Sequence, residues 1–207
     1  MYIPEFNRVE DRAAALAFMR ANPFAILISA PDEGPFATHL PILAREVDGH
    51  LQLRGHVAKS NPHWKSISQA QESLVIFHGP HAYISPSLYE IQESVPTWNY
   101  AAVHVYGKGT VFTDPKELNQ FLHELIAEFD ATYAAQWPSL SEQYRSRMVQ
   151  HIVGFEINAT RVETKFKLSQ NRTKAEQQNI ITALESSSDS AAAGVATLMK
   201  GRGQGLR

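Results

Sequence analysis

LRGHVAKSNPHW, residues 53–64, runs from an alternating strand pattern into a helix start. Asn61 is a favoured N-cap residue, and Pro62 suits the first helical position because no backbone N–H is needed there. The first turn of a helix leaves N–H groups free to attract an anion, and Lys59 adds a positive charge just before it. Gly55 would let a flat ligand approach the strand closely. The stretch predicts either a phosphate-binding junction or an ordinary connection with a solvated lysine.

Short strands joined by turns flank this stretch on both sides. Asp48-Gly49 suits a two-residue hairpin turn, because such a turn needs positive φ at both positions. Gly79-Pro80 is interpreted as a second turn between strands, and Pro31 to Gly34 as a third. The predicted strands are 24–29, 37–46, 50–58, 74–79, 81–89, 101–113 and 151–168. Six or seven such strands predict a closed antiparallel barrel with helical additions, an α+β fold.

Helical patterns interrupt and follow these strands. Asp114-Pro115 before an apolar face and the Thr173 to Glu176 capping box give two strong helix starts. The predicted helices are 9–21, a short one opened by Asn61-Pro62, 115–129, about 141–150, about 173–184 and 191–199. We expect a single domain over 1–207, with a C-terminal helical extension at about 173–200 and a flexible tail at 201–207.

Composition excludes several classes of protein. The chain has no cysteine, which excludes disulfides, thiolate catalysis and Cys-based metal sites. It contains no signal-peptide pattern and no apolar run long enough to span a bilayer, so we expect a cytoplasmic protein with no membrane partner. Nine histidines invite a metal hypothesis, but no carboxylate lies within the His78–His81 pair, and no metal site is predicted.

The charge pattern bears on nucleic-acid binding. A net charge of −2 argues against a globally basic DNA-binding domain. One local basic run could face DNA, a ligand phosphate or water; it comprises Arg161, Lys165, Lys167, Arg172 and Lys174. No helix-turn-helix is predicted, because a long loop separates the helices at 115–129 and 141–150.

Five segments together resemble the PaiB family of FMN-binding split-barrel proteins, often named negative transcriptional regulators. They are MYIPEFNRVED at 1–11, ATHLPILA at 37–44, GHVAKSNPHW at 55–64, VPTWNYAAVHVYGKG at 95–109 and KFKLSQNR at 165–172. Their order and spacing span almost the whole chain. The resemblance implies a split barrel in which FMN lies at a homodimer interface.

Transferred to this sequence, the resemblance implies three groups of cofactor-binding residues. The isoalloxazine ring would be lined by Thr38, His39 and Leu40. The ribityl phosphate would be held by His56, Ala58, Lys59 and Asn61, and it would raise the pKa of His56. The C-terminal residues that would reach the partner's FMN are Lys167, Ser169, Gln170 and Arg172.

Residues 95–100 are interpreted as an approach loop to the flavin. Trp98 and Asn99 would place an aromatic face and an amide on it, and the alternative is that Trp98 closes the barrel's end or a subunit contact. No catalytic residue is predicted.

Three functions remain open at this point. The first is a transcriptional repressor with flavin as a sensor, which would contact DNA through the local basic run. The second is a flavin-dependent oxidoreductase, which would need a second-substrate pocket. The third is a haem-binding split-barrel protein.

Overall fold

Seven strands in one sheet and seven helices make up the described chain in this computed structural model, which covers residues 1–30 and 34–203. The strands are β1 Phe24–Ser29, β2 Phe36–Pro41, β3 Leu43–Val47, β4 His50–Ala58, β5 Ser73–Ile84, β6 Thr97–Phe112 and β7 Ile152–Lys167. The helices are α1 Arg12–Ala21, α2 His63–Gln69, α3 Pro115–Phe129, α4 Ala131–Gln136, α5 Glu142–Val149, α6 Lys174–Glu185 and α7 Ser190–Gly203. Most of the turn predicted at 31–34 and most of the tail predicted at 201–207 lie outside the described residues, while residues 201–203 belong to α7.

The sheet order is β2-β1-β5-β6-β7-β4-β3. The pairs β1–β2, β1–β5, β3–β4 and β4–β7 are antiparallel. β2 lies at one end of this order and β4 is next to the other, yet the two strands are in contact. The sheet therefore curls back on itself as a half-barrel, which confirms the predicted fold class.

The chain divides into two compact units, which are described separately. The first consists of residues 1–22, 77–104 and 162 to the end of the described chain; the second consists of 23–76 and 105–161. The single-domain expectation stays a prediction. The residues implied for the flavin ring and phosphate are in the second unit, and Trp98, Asn99 and the C-terminal group are in the first.

The second unit is organised around α3. The side chain of Asp114 accepts hydrogen bonds from the first-turn amides of Lys116 and Glu117, as the sequence predicts. The apolar face of the helix packs Phe121 and Leu125 against Leu43 of β3. This packing places α3 against β3, and the His56 ring of β4 also meets Phe121.

The first unit has its own core. Phe18 of α1 packs on Phe166 of β7 with ring centroids 5.2 Å apart. The predicted capping box at the start of α6 is present, with Thr173 and Glu176 bonding each other's backbone amides. α6 packs against α7 through buried apolar side chains, which include Ile180 and Val195.

Two strand predictions were wrong. Gly79-Pro80 does not turn the chain, because β5 continues through both residues. Glycine is needed there for close packing, since a Cβ at Gly79 would lie 2.6 Å from Phe18. Pro80 is tolerated because β1 pairs with β5 only through Leu74 to Ile76, so no backbone hydrogen bond to β1 is lost.

The single strand predicted at 37–46 is two strands, β2 and β3, which are divided at Ile42.

Two predictions about helices also differ from the structure. The first helix begins at Arg12 rather than near Val9, with Asp11 as its N-cap. α4, Ala131–Gln136, falls in the stretch predicted as a long loop. Six residues are too few to produce a readable helical periodicity.

Candidate cofactor site

The junction between β4 and α2 holds an exposed lysine on an anchored backbone. The amide of Lys59 donates to the His151 carbonyl over 2.8 Å, and its own carbonyl accepts from Trp64 Nε1 over 3.1 Å. The Lys59 side chain is exposed, and the described residues include no carboxylate paired with it. An ammonium group on a fixed main chain is available to bind an anion.

The helix itself contributes less than the sequence indicates. α2 begins at His63, one residue later than predicted, and Pro62 is its N-cap rather than its first residue. The amide of His63 already donates to Asn61 Oδ1 over 3.0 Å, and the amide of Lys65 donates to the Pro62 carbonyl. With those amides occupied in a helix of seven residues, the positive charge of this junction comes from Lys59.

Thr38 joins β2 to this junction through two hydrogen bonds. Asn61 Nδ2 donates to Thr38 Oγ1 over 3.2 Å, and Thr38 Oγ1 lies 2.8 Å from His63 Nδ1. His63 is fully buried, and its ring meets the Phe36 ring edge-on, with the ring centroids 4.9 Å apart. Burial lowers the pKa of His63, so the ring is neutral at neutral pH.

One hydrogen-bonding group at this junction is left for a ligand. Within the described chain His63 Nε2 has no partner. If Thr38 donates to His63 Nδ1, then Nε2 carries the proton and is an unused donor. If Nδ1 donates to Thr38, then Nε2 is an unused acceptor, and the hydroxyl proton of Thr38 is unused as well. Buried polar groups without a partner are costly, and a bound ligand would satisfy this one.

The other residues implied for the ring and phosphate fall on different surfaces. Alternate residues of a strand face opposite sides, so Thr38 and the buried Leu40 share a face of β2, while the exposed His39 lies on the other face near Phe24. Ala58 is exposed at the end of β4, where its carbonyl accepts from the Asn61 amide over 2.8 Å.

His56 packs against α3. The His56 ring meets the Phe121 ring edge-on, with the ring centroids 6.0 Å apart, and burial lowers the pKa of His56. Without a ligand, the protein therefore shifts this pKa in the opposite direction to the one that a phosphate would produce.

Gly55 has a structural reason that the sequence interpretation missed. It pairs with Phe155 of β7, and a Cβ at Gly55 would lie 2.6 Å from that ring. The close approach at this glycine is made by a core phenylalanine, which explains the glycine without a ligand, and the approach of a flat ligand stays a prediction.

In the first unit, Trp98 lies on a strand rather than on an approach loop, because β6 begins at Thr97. Trp98 is half exposed, and the centroid of its ring lies 5.9 Å from that of His81 and 6.0 Å from that of Tyr83. These three side chains form an exposed aromatic surface.

Two predicted residues are bonded within the protein. Asn99 is fully buried, and its Oδ1 accepts from the Ser169 hydroxyl over 3.0 Å. The Gln170 side chain accepts from the Leu168 amide and donates to the Phe166 carbonyl. Both stabilise the end of β7, where the chain turns toward α6.

Lys167 and Arg172 line one cavity of about 190 Å³ in the first unit. Lys167 Nζ donates to Thr97 Oγ1. The Arg172 guanidinium lies over the Tyr89 ring at 3.6 Å from its centroid. Two of the predicted C-terminal residues therefore lie together.

The members of the local basic run differ in their burial and in their partners. Arg161 stacks on Tyr106 and pairs with Glu72 in the second unit. In the first unit, Lys165 is buried and donates to the Tyr2 carbonyl, whereas Lys167 and Arg172 face the cavity. Lys174 is exposed. Burial of Lys165 excludes it from an exposed DNA-binding surface, and contact of the other members with DNA stays a prediction.

Comparison with known proteins identifies the family. A family model described as "Putative FMN-binding domain" matches residues 1–161. The Bacillus subtilis (strain 168) protein named Protease synthase and sporulation protein PAI 2 is 35% identical over 202 residues, which cover 97% of each chain. The chain belongs to the PaiB family of FMN-binding proteins. Its cofactor is FMN.

More distant comparisons agree with this family and fold. A protein of Emericella nidulans described as uncharacterized is 31% identical over 246 residues, covering 99% of this chain and 98% of its own. The FAD and heme binding protein from Mycobacterium smegmatis superposes with a TM-score of 0.60 at 14% identity, over 78% of this chain and 73% of that one. The flavocytochrome Anf3 from Azotobacter vinelandii gives 0.59 at 14% identity, over 75% and 67%. At such identity the two structures show the split-barrel fold alone.

Two residues of interest were missed by sequence reasoning. His63 was considered only as a metal ligand, and Asn7 was not considered at all. Both are buried polar side chains with an unpartnered atom within the described chain. A histidine or asparagine in sequence gives no indication of burial, so no pattern could have found them.

None of the described helices is long and apolar enough to span a membrane.

Proposed function

We propose that this protein is a PaiB-type negative regulator that carries FMN as a sensor and acts as a cytoplasmic homodimer. The regulatory part is supported by similarity over nearly the whole chain to a relative whose name refers to protease synthesis and sporulation. The sensor part is supported by the junction after β4, where Lys59 offers a free charge beside the Thr38–Asn61–His63 cluster.

In this proposal the FMN phosphate binds at Lys59 and Asn61. A dianionic phosphate gains most from a cation that has no competing carboxylate, which is the situation of Lys59. Thr38 and Leu40 share the face of β2 that would meet the flavin, and His39 would meet it only from the opposite face. His56 packs against α3, and Ala58 contributes its carbonyl to the Asn61 amide, so neither is assigned a phosphate contact in this proposal.

Pairing of two chains is supported by exposed aromatic side chains in each unit. Phe24 and Phe36 are exposed in the second unit, and Tyr83 and Trp98 in the first. A barrel of this size is filled by its own side chains, so a flavin must bind on its outer wall, where a second chain can cover it.

Absorption spectroscopy tests the cofactor directly. The purified chain is titrated with FMN, and we expect flavin bands to shift and saturate at one FMN per chain. A strong Soret band after purification, together with no spectral response to FMN, would replace the flavin proposal with haem.

An FMN-dependent oxidoreductase is the second candidate, favoured because Lys165 is buried and because Lys167 and Arg172 line a cavity. If FMN serves only as a sensor, the intact protein binds promoter DNA with an affinity that falls steeply with salt, and it does not turn over reduced nicotinamide. Salt-independent or absent DNA binding, combined with FMN-dependent oxidation of reduced nicotinamide, would establish the oxidoreductase and overturn the regulator.

A further inference from the structure

The cavity of the first unit is too small for a flavin. Its volume is about 190 Å³. Pockets that enclose drug-sized ligands are typically about 300–1,000 Å³. Phe6 and Val95 contribute exposed side chains to its wall, 55% and 74% exposed, so the cavity is open to solvent on that side. A small molecule can enter, and it would be much smaller than FMN.

The lining carries positive charge without a carboxylate. Lys167 and Arg172 are the charged residues among the described side chains that line it. Lys167 donates to the neutral Thr97 hydroxyl, and no ion pair of the described chain includes it. The ammonium group therefore lacks a compensating charge among the residues that the structure describes.

Arg172 is held rigidly and is only partly neutralised. Its guanidinium stacks on Tyr89, and its Nη1 lies 3.9 Å from Glu176 Oε1. The buried Glu176 carboxylate already accepts from the Glu90 and Thr173 amides over 3.0 and 3.1 Å. A stacked guanidinium is preorganised to bind a carboxylate or phosphate through two parallel hydrogen bonds.

Asn7 provides a second, independent indication of a ligand. This lining residue is only 2% exposed, and its Oδ1 has no hydrogen-bond partner among the described residues. An unpartnered buried acceptor needs a donor, and a ligand in the cavity that Asn7 lines would supply one. Near two cations the donor is best a neutral hydroxyl, because an ammonium group would be repelled.

We propose that this cavity binds a small hydroxycarboxylate, whose carboxylate meets Arg172 and Lys167 and whose hydroxyl donates to Asn7 Oδ1. The site lies entirely within the first unit. It does not depend on where FMN binds. It gives Lys167 and Arg172 a role distinct from contact with a flavin.

Calorimetric titration with racemic malate tests the proposal on the full-length FMN-loaded protein. Succinate is the matched probe, because it carries the same two carboxylates without the hydroxyl. We expect malate to bind, and succinate to bind about three- to tenfold more weakly through loss of one neutral hydrogen bond. Absence of malate binding, or equal binding of the two acids, would overturn the proposal without any variant.

Two lysine variants locate the site. Lys167→Met removes the uncompensated charge and should weaken malate binding about tenfold or more. Lys174→Met makes the same change at an exposed residue outside the cavity, and it should leave the affinity within about twofold. Equal losses in the two variants would mean that malate binds nonspecifically to positive charge.

The FMN-free protein separates this site from the flavin site. Malate should bind the FMN-free and FMN-loaded forms with the same affinity, while FMN binding is followed independently by its absorption. If increasing FMN displaces malate competitively, then the cavity is part of the flavin site and the proposal is wrong. Failure of FMN to bind, with malate binding retained, would count against the proposed function alone.

Discussion

Thr38 Oγ1 lies 2.8 Å from His63 Nδ1 across 25 positions of sequence. Thr38 is on β2, at one end of the strand order, and His63 opens the helix that follows β4, near the other end. The hydrogen bond therefore joins β2 to the helix that follows β4, and the curl of the sheet brings β2 and β4 into contact. Lys59, four residues before His63, lies on the same connection. This contact gives the candidate FMN site a rigid side.

Replacing Lys59 should distinguish FMN from riboflavin. Lys59→Ala removes one charge-assisted contact to the phosphate, and we expect FMN to lose about 1.5 kcal/mol, or about tenfold in affinity, because the lysine is exposed. Riboflavin has no phosphate and should be bound equally by both proteins. Fluorescence titration measures both ligands, and Lys65→Ala on the neighbouring exposed position is the control. Equal losses for FMN and riboflavin would show that Lys59 does not contact the phosphate.

Thr38→Val should destabilise the folded protein. The substitution preserves shape but leaves Asn61 Nδ2 and His63 Nδ1 without their partner. We expect a loss of about 1–2 kcal/mol in the free energy of unfolding, measured by urea denaturation, because Asn61 is half-buried and can reach water. Thr38→Ser retains the hydroxyl and should lose less. If serine and valine cost the same, the hydroxyl contributes nothing at this position.

Stability should fall as the pH decreases below about 6.5. Burial lowers the pKa values of His56 and His63 in the folded protein, whereas in the unfolded chain a histidine titrates near 6.5. The unfolded chain therefore binds protons first. The stabilisation from neutral histidines is fully present above the unfolded value and is lost as the pH falls toward the folded value.

His56→Leu tests this dependence on pH. It removes one titrating group and should reduce the slope of unfolding free energy against pH by up to about 1.4 kcal/mol per pH unit below 6.5. His50→Gln, at an exposed position, is the matched control. Urea denaturation between pH 5.5 and 7.5 gives the slopes, and a His56→Leu slope that matches the native one would contradict the burial effect.

The proposed homodimer has a simple mass signature. Light scattering of the FMN-loaded protein should give 2 × 23.1 = 46.2 kDa. A dimer is expected because a flavin on the outer wall of a small barrel needs a second chain to cover it. Trp98→Lys places a charge on the exposed aromatic surface and should weaken the dimer if that surface is the contact. An FMN-loaded monomer at micromolar concentration would exclude obligate pairing.

The sequence correctly predicted the strand, helix, turn and cap that are controlled by residues close together in the chain. β1 and α3 have the predicted bounds, the Asp48-Gly49 turn has positive φ at both residues, and the capping box of α6 is formed. In each case the controlling interaction lies within a few residues, between a cap and its amides or within a two-residue turn. Pro80 was misinterpreted because its tolerance depends on where β1 stops pairing, which is a tertiary fact.

By itself the sequence determined the fold class, the family, FMN as cofactor and the presence of Lys59 at a strand-to-helix junction. Only the tertiary structure decided which polar groups are buried, because burial of His63 and Asn7 depends on packing by segments distant in sequence. The structure likewise placed Lys167 and Arg172 in a cavity and Lys165 in the core, although all three belong to one basic run. The sequence shows which side chains are charged, but the contacts that folding creates decide how those charges are solvated and with which groups they pair.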